Sequence, residues 1–149
     1  LPAGLERPAL ALMAAHELGH CRRALDGAQG SLPAGFAPAD TAAPLPDGRA
    51  PDGLVASLQS SWREMRDTRR EEGYADLVGL AWVAEHHAAD YLALHAWLRT
   101  ERAAEPAGGH HDTRAWLALA EMPDALIAGG VNPFDRAAPL WRQGLRQAP

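Results

Sequence analysis

The chain has one cysteine, few aromatic residues and no lysine. Cys21 is the sole cysteine of the 149 residues, so no disulfide can form within the chain. Cysteine usage therefore does not distinguish a reducing from an oxidising compartment. All 14 basic residues are arginine, which we attribute to coding bias. The formal net charge is -5, and the only basic run, over residues 63–70, is interleaved with acidic residues. We therefore predict no nucleic-acid partner.

Long apolar runs and strand patterns are missing as well. No stretch approaches the about 18–20 consecutive apolar residues that a membrane span requires, so we predict no span. Runs that alternate apolar and polar residues, internal repeats and glycine-rich phosphate loops do not occur. The length suits one domain with one hydrophobic core, and we predict a single domain over residues 1–149.

One short motif prescribes a reaction: residues 16–20 read His-Glu-Leu-Gly-His. We predict a helix from Pro8 to Leu25, because proline suits a first helical turn and Leu-Asp-Gly is a plausible stop. On that helix His16 and His20 lie one turn apart on the same face, where both imidazoles can reach one metal ion. Glu17, beside them, is placed to act as a general base. The alternative is an amphipathic helix that merely contains two histidines.

A third metal ligand is needed for catalysis, and Glu72 is the candidate. Glu72 and Asp76 are four residues apart, so on a helix both carboxylates project from one face. A metal bound by Glu72, with Asp76 accepting the N–H of a ligating histidine, would relieve their repulsion. The alternative is a solvated acidic helix start, in which Glu71 and Glu72 are favoured by the helix dipole.

Together, His16-Glu17-Leu18-Gly19-His20 and Glu72-Gly73-Tyr74-Ala75-Asp76 resemble the zinc metallopeptidases called gluzincins. The Glu-x-x-Ala-Asp form is most similar to the CaaX-prenyl protease and HtpX-type branch. The resemblance implies His16, His20 and Glu72 as ligands of Zn²⁺. It also implies Glu17 as general base and proton shuttle, and Asp76 as the partner of a ligand histidine, His16 in particular.

The sequence departs from that family in three respects. Members of that branch usually carry transmembrane helices, and zincins generally place a β-sheet before the motif helix. Only residues 1–7 precede the predicted helix here, and they do not alternate as a strand does. The chain begins with leucine rather than methionine, which is typical of a piece of a longer protein. A larger zincin's catalytic half is therefore one alternative.

The stretch Gly108-Gly109-His110-His111-Asp112-Thr113 allows two interpretations. In the functional one, His110 or His111 comes over the metal from a glycine-hinged loop and stabilises an oxyanion, with Asp112 orienting it. A second metal site is a variant of this interpretation. In the structural one, Asp112 or Thr113 caps a helix from Arg114 to Ala120.

Cys21 follows His20 directly, but it lies about 100° further around the helix. We predict that it is a small buried residue rather than a ligand. His87 shares the helix face of Glu72, yet fifteen residues of helix separate them by about 22 Å, so the two cannot bind one metal.

The remaining pattern predicts a mainly α fold of four to six helices around a zincin-like helix pair, with little or no β-sheet. Residues 26–53 are rich in proline, glycine and alanine and predict a long irregular loop. A second helix is predicted from Leu54 with a pause near residues 70–73, and a third from Glu72 to Ala104. Short helices are predicted from Asp124 and, by the asparagine-proline rule, from Pro133 to Arg146.

We therefore expect a zinc-dependent, metallopeptidase-like hydrolase that acts on a peptide or protein substrate, with Glu17 as general base. The alternative from another class is a helical interaction module with a structural or vestigial metal. A fourth protein ligand, such as Cys21 or His110, would favour that alternative. Two histidines and a carboxylate also bind iron, cobalt or manganese. The sequence leaves the substrate, the compartment and the oligomeric state open.

Overall fold

A computed structural model describes residues 1–34, 36, 52–128 and 130–147, and every structural statement concerns these residues. The predicted mainly helical fold is confirmed, and no strand occurs among them. None of their helices has the length and apolarity needed to span a membrane. The helices are α1 (Glu6–Leu25), α2 (Asp52–His86), α3 (Tyr91–Ala103), α4 (Arg114–Leu119), α5 (Asp124–Ile127) and α6 (Pro133–Gln147).

Helix α2 runs through the centre of the core. Residues 69–81 are all buried, which is what a helix shows when neighbours surround it. Helix α1 packs along α2, and α4, α5 and α6 also pack against it. This buried stretch includes the second motif, residues 72–76, so its side chains are held in place by close packing. Of the first motif only Gly19 is buried, and Glu17 and Leu18 are exposed.

Small residues let α1 and α2 approach closely. A Cβ atom built on Gly19 would lie 3.1 Å from the Cα of Ala75, and one built on Gly79 would lie 2.9 Å from the carbonyl oxygen of Leu12. Neither position has room for a side chain without a shift of backbone. The glycine inside the first motif therefore fixes how closely its helix meets the helix of the second motif.

A second close contact joins α2 to α4 and α6. The indole of Trp116 is fully buried, and a Cβ on Gly73 would lie 2.5 Å from one of its ring carbons. A Cβ on Gly144 would lie 2.3 Å from the same ring, and the indole N–H donates to the carbonyl oxygen of Trp141. Helix α4 is thereby fixed beside Gly73, one residue after Glu72.

A buried ion pair also joins α1 to α2. Arg23 donates from Nε and Nη2 to the carboxylate of Glu71, at 3.0 and 2.7 Å. The same carboxylate accepts from the backbone N–H of Gly30, and the guanidinium lies over the ring of Trp141. Glu71 and Glu72 are both buried in mid-helix, so the alternative of a solvated acidic helix start is wrong.

Two predicted helix boundaries are also wrong. Helix α2 passes through residues 70–73 without a pause, since Gly73 is supported there by Trp116. The predicted helix to Ala104 breaks at His87, whose φ of -139° and ψ of 43° are not helical, and a 3₁₀ turn over Ala88–Asp90 follows.

The break reverses the chain so that α3 folds back onto the core. A straight extension would carry the thirteen residues of α3 about 20 Å away from it. After the turn Tyr91, Leu94 and Leu98 are buried, and the Tyr91 hydroxyl donates to the carbonyl oxygen of Ala120 at 2.6 Å. Burial of this apolar face outweighs the loss of helical hydrogen bonds at the turn.

The long loop predicted over residues 26–53 lies only partly within the described residues. Residues 26–34 and Phe36 are not helical, as predicted, while residues 35 and 37–51 lie outside the described residues. Helix α6 begins at Pro133 as predicted, and the side-chain oxygen of Asn132 accepts from the backbone N–H of Asp135.

Candidate metal site

Three side chains from α1 and α2 meet where the helices pack. His16 and His20 project from α1, and Glu72 faces them from α2. His20 Nε2 lies 3.2 Å from His16 Nε2 and 3.2 Å from Glu72 Oε1. His16 Nε2 lies 3.6 Å from Glu72 Oε2. The three form a cluster that could hold a metal ion.

The separations are close to those of a tetrahedral metal site. Ligand atoms at about 2.0–2.2 Å from a tetrahedral zinc lie about 3.3–3.6 Å from one another. The two Nε2 atoms lie 3.2 Å apart, and each histidine is near a different oxygen of Glu72, His20 near Oε1 at 3.2 Å and His16 near Oε2 at 3.6 Å. With one atom from each residue, the set lies within 4.8 Å. Two ring nitrogens with their lone pairs aimed at one point repel unless a proton or a cation lies between them.

Asp76 fixes the orientation of one ligand. It is fully buried, and its Oδ1 lies 2.9 Å from Nδ1 of His16. When Nδ1 carries the proton and donates to this carboxylate, Nε2 of His16 keeps a lone pair that points into the cluster. This is the arrangement that a metal-binding histidine needs, and it places Asp76 where the sequence reasoning put it.

The carboxylate of Asp76 has two further partners that the sequence reasoning missed. Arg102 of α3 donates from Nη2 to Oδ1 at 2.7 Å and from Nε to Oδ2 at 2.9 Å. Thr113 donates from Oγ1 to Oδ2 at 2.6 Å. Arg102 Nη2 also donates to Glu72 Oε2 at 3.2 Å. The bidentate arginine neutralises the buried carboxylate of Asp76 and holds it in place, so that the N–H of His16 has an acceptor in a fixed position.

Only a weak signal pointed to these partners. A buried aspartate requires a cation, but no spacing rule connects residue 76 to residue 102 across a turn. Thr113 precedes α4 and looked like a helix cap, yet its side chain makes no capping bond and donates to Asp76 instead.

The charges of the cluster favour the ionised carboxylates. Burial opposes ionisation of Glu72, but its contacts with His20 and His111 outweigh burial and hold its pKa at about 2. Burial likewise opposes ionisation of Asp76, and the bonds from His16 and Arg102 outweigh it, so that its pKa is lowered. The hydrogen bond to Glu72 raises the pKa of His20. An anionic cluster with a proton-binding histidine also attracts a cation.

Glu17 is exposed beside the cluster and does not belong to the three ligands. It lines a cleft of about 380 Å³, together with His16 and Asp76. A general base needs access to water, which the exposed carboxylate of Glu17 has.

Of the two histidines in the glycine-hinged stretch, the structure brings only one to the cluster. Nδ1 of His111 lies 3.0 Å from Glu72 Oε2, and this buried nitrogen has no aligned hydrogen-bond partner among the described residues. Among the described residues, His110 is exposed and contacts none of His16, His20 and Glu72. Asp112 does not orient either histidine, because it accepts from the backbone N–H of Gly108 and from Arg114.

Cys21 is exposed, so the prediction that it is buried is wrong. Position 21 faces away from α2, because it is turned about 100° from His20, which faces that helix. Cys21 is not part of the cluster.

Comparison of the chain with protein-family models, with curated proteins and with solved structures finds no match. The resemblance to gluzincins therefore rests on the two motif segments of the sequence alone.

Proposed function

We propose that the protein is a zinc-dependent, metallopeptidase-like hydrolase. The observation that carries this proposal is the convergence of His16, His20 and Glu72, which offer one ligand atom each within 4.8 Å of one another. A metal in such a site, with three protein ligands and one open position, lowers the pKa of water and polarises a carbonyl group. The cleft that His16 and Glu17 line lies next to these groups and is the proposed place of the substrate.

Glu17 is the general base in this proposal. Its carboxylate takes a proton from the attacking water and delivers it to the nitrogen of the leaving amine. It is suited to that role because it lines the cleft, is exposed, and has no arginine bound to its carboxylate among the described residues. Buried and paired carboxylates such as Asp76 cannot exchange protons with a substrate in this way.

His111 and Asp76 act on the reaction differently. The side chain of His111 is 44% exposed and stands beside the cluster, with its buried Nδ1 3.0 Å from Glu72 Oε2, so we assign the bond to the oxyanion of a tetrahedral intermediate to the other nitrogen of the ring. Asp76 positions His16 and does not touch the substrate. The proposal assigns no role to His110.

The alternative of a helical interaction module with a structural metal requires a closed coordination sphere. Among the described residues the cluster contains three candidate ligands, and Cys21 and His110, the candidates for a fourth, are not part of it. An incomplete sphere supports the hydrolase over the structural alternative.

The first experiment is elemental analysis of the purified wild type, His16→Ala and Glu72→Ala after reconstitution with zinc. We expect about one zinc per chain in the wild type and none in either variant, because two remaining ligands hold zinc weakly. His86→Ala is the control, since His86 is exposed and bonds only to its own helix. A wild type that binds no zinc would contradict the proposal.

The second experiment measures casein hydrolysis by the zinc-loaded wild type and by Glu17→Gln. The variant should keep its zinc and lose turnover by about 10²–10⁴-fold. His111→Ala should also lose turnover, and His110→Ala, its neighbour in the same loop, should not. A wild type that binds zinc and cleaves neither casein nor a mixed peptide library would instead support the structural-metal alternative.

A further inference from the structure

The cleft beside Glu17 has walls from two helices. Leu12 and Met13 of α1 form one apolar wall, and Trp97 and Leu98 of α3 form the opposite one. Its volume of about 380 Å³ lies at the small end of the about 300–1,000 Å³ range of ligand pockets. It has room for one or two side chains, and His16 is the one candidate metal ligand among its lining residues.

The indole of Trp97 is held in place by a neighbour in the same helix. Its Nε1 donates to Oε1 of Glu101 at 3.1 Å, and Glu101 also lines the cleft. A tryptophan that is fixed by a hydrogen bond gives the cleft a flat, rigid apolar face. The polar end of the indole is satisfied within α3, so the ring face needs only apolar contact.

The charges in the cleft disfavour an anion. Glu17 and Glu101 are both exposed at its lining. The single arginine among the described residues that line it, Arg102, is already bonded to Asp76 and Glu72. An acidic side chain in the cleft would therefore meet the carboxylates of Glu17 and Glu101. The remaining cation of the lining is the α-amino group of Leu1, a residue that is 62% exposed, so water screens it.

We propose that this cleft is the specificity pocket of the protein, and that it binds an apolar side chain next to the scissile bond and rejects acidic ones. The position of this side chain next to the scissile bond rests on the proposed hydrolase function, but the binding of an apolar side chain does not. No strand is available among the described residues to hold a substrate, so α3 supplies the wall that faces α1.

The first test compares cleavage of peptides that differ at one position. Leucine, phenylalanine or methionine beside the cleaved bond should be preferred over aspartate by at least about tenfold in kcat/KM. Met13→Glu should remove most of that preference. Leu10→Glu is the matched control, since both side chains are exposed on α1 and Leu10 does not line the cleft. Equal cleavage of leucine and aspartate peptides by the wild type would overturn the proposal.

The charge argument has its own variant. Glu101→Arg should raise cleavage beside aspartate by several fold, whereas Glu64→Arg, an exposed glutamate of α2 outside the cleft lining, should leave it unchanged. If both variants act alike, the preference comes from the net charge of the protein and the proposed role of Glu101 is wrong.

The second test needs neither metal nor turnover. Metal-free protein is titrated with N-acetyl-leucinamide, N-acetyl-glycinamide and N-acetyl-aspartamide while tryptophan fluorescence is followed. The leucine compound should bind at least about tenfold more tightly than the other two. Trp97→Phe should bind it with a much smaller signal. Leucine binding without any hydrolysis would refute the proposed function alone, and hydrolysis without leucine binding would refute the pocket alone.

Discussion

The two sides of the candidate site are built in different ways. On the α1–α2 side, His16, His20 and Glu72 project from two helices, and the helical periodicity sets which residues share a face. On the α3–α4 side, Arg102 and Thr113 reach Asp76 only because the chain reverses after α2. The first side supplies the candidate ligands and the general base, and the second holds them in position.

The difference separates the residues that stabilise the fold from the candidate metal ligands and the general base. His16, His20 and Glu17 remain partly open to solvent, whereas Glu72, Asp76 and Thr113 are buried. Buried charges are stable only when paired, so damage to the buried partners should unfold the protein, and damage to the ligands should mainly remove metal. The variants below test this division.

The largest effect is expected from Asp76→Ala. The variant leaves the part-buried Arg102 with Glu72 as its remaining partner and removes the acceptor of His16 and Thr113, so it should lose about 3–5 kcal/mol of unfolding free energy. Asp26→Ala is the control, because Asp26 and its partner Arg22 are both about half exposed, at 49% and 53% of their side chains. The control should lose no more than about 1 kcal/mol. Urea denaturation measures both, and similar losses would contradict the division.

Gly73→Ala comes next. Its new Cβ would lie 2.5 Å from the ring of Trp116, so overpacking should cost about 1–3 kcal/mol. Gly53→Ala in the same helix has the opposite expected sign, since no described residue outside its own helical turn comes within 4 Å of the new Cβ. It should stabilise by up to about 1 kcal/mol, because alanine is the better helix former. Thermal unfolding of the pair distinguishes packing from helix propensity, and equal shifts would show that Gly73 is not packed as described.

Thr113→Val tests the α4 side with a smaller change. The shape is kept, and Asp76 loses one hydrogen bond, which should cost about 1–2 kcal/mol. The zinc affinity should fall about 10-fold or more, because His16 is held less firmly. Thr100→Val, at an exposed site on α3 where the hydroxyl bonds only to its own helix, should change neither. Competition with a chelator measures the affinity, and an unchanged value in Thr113→Val would show that its bond does not position the ligand.

The smallest effect concerns pH and the loop that carries His111. The bond from Arg114 is the main reason that the pKa of Asp112 is held at about 2, below the about 3.9 of an unfolded chain. A lowered folded-state pKa stabilises the fold above the unfolded value, and this contribution is lost as the pH falls towards the folded value. Asp112→Asn should therefore be slightly less stable than the wild type at about pH 6, and the difference should vanish near pH 2. Stability curves of both proteins across this range check the sign, and a gap that widens on acidification would refute it.

The sequence was sufficient for the helix pair that carries the two motifs. His16 and His20 on one face of α1, and Glu72 and Asp76 on one face of α2, follow from helical periodicity alone. The distance between the two helices was not predictable, although Gly19 and Gly79 set it, because an isolated glycine in a helix usually signals only lower helix propensity.

The position of α3 could not be predicted for a different reason. The segment His86-His87-Ala88-Ala89-Asp90 contains no proline or glycine, and its local preferences allow a helix to continue. The turn there is favoured by burial of Tyr91 and Leu94, which is a property of the whole core. Any residue that reaches the site through this turn, as Arg102 does, lies beyond the range of spacing rules.

The close contact at Gly19 limits how this protein can diverge. A side chain at this position would push α1 away from Ala75 and separate the histidines of one helix from the glutamate of the other. Changes at Leu18, which is exposed, meet no such barrier. A library randomised over residues 18 and 19 should therefore return many residue types at the first position and mainly glycine, with alanine as the largest exception, at the second among variants that still bind metal.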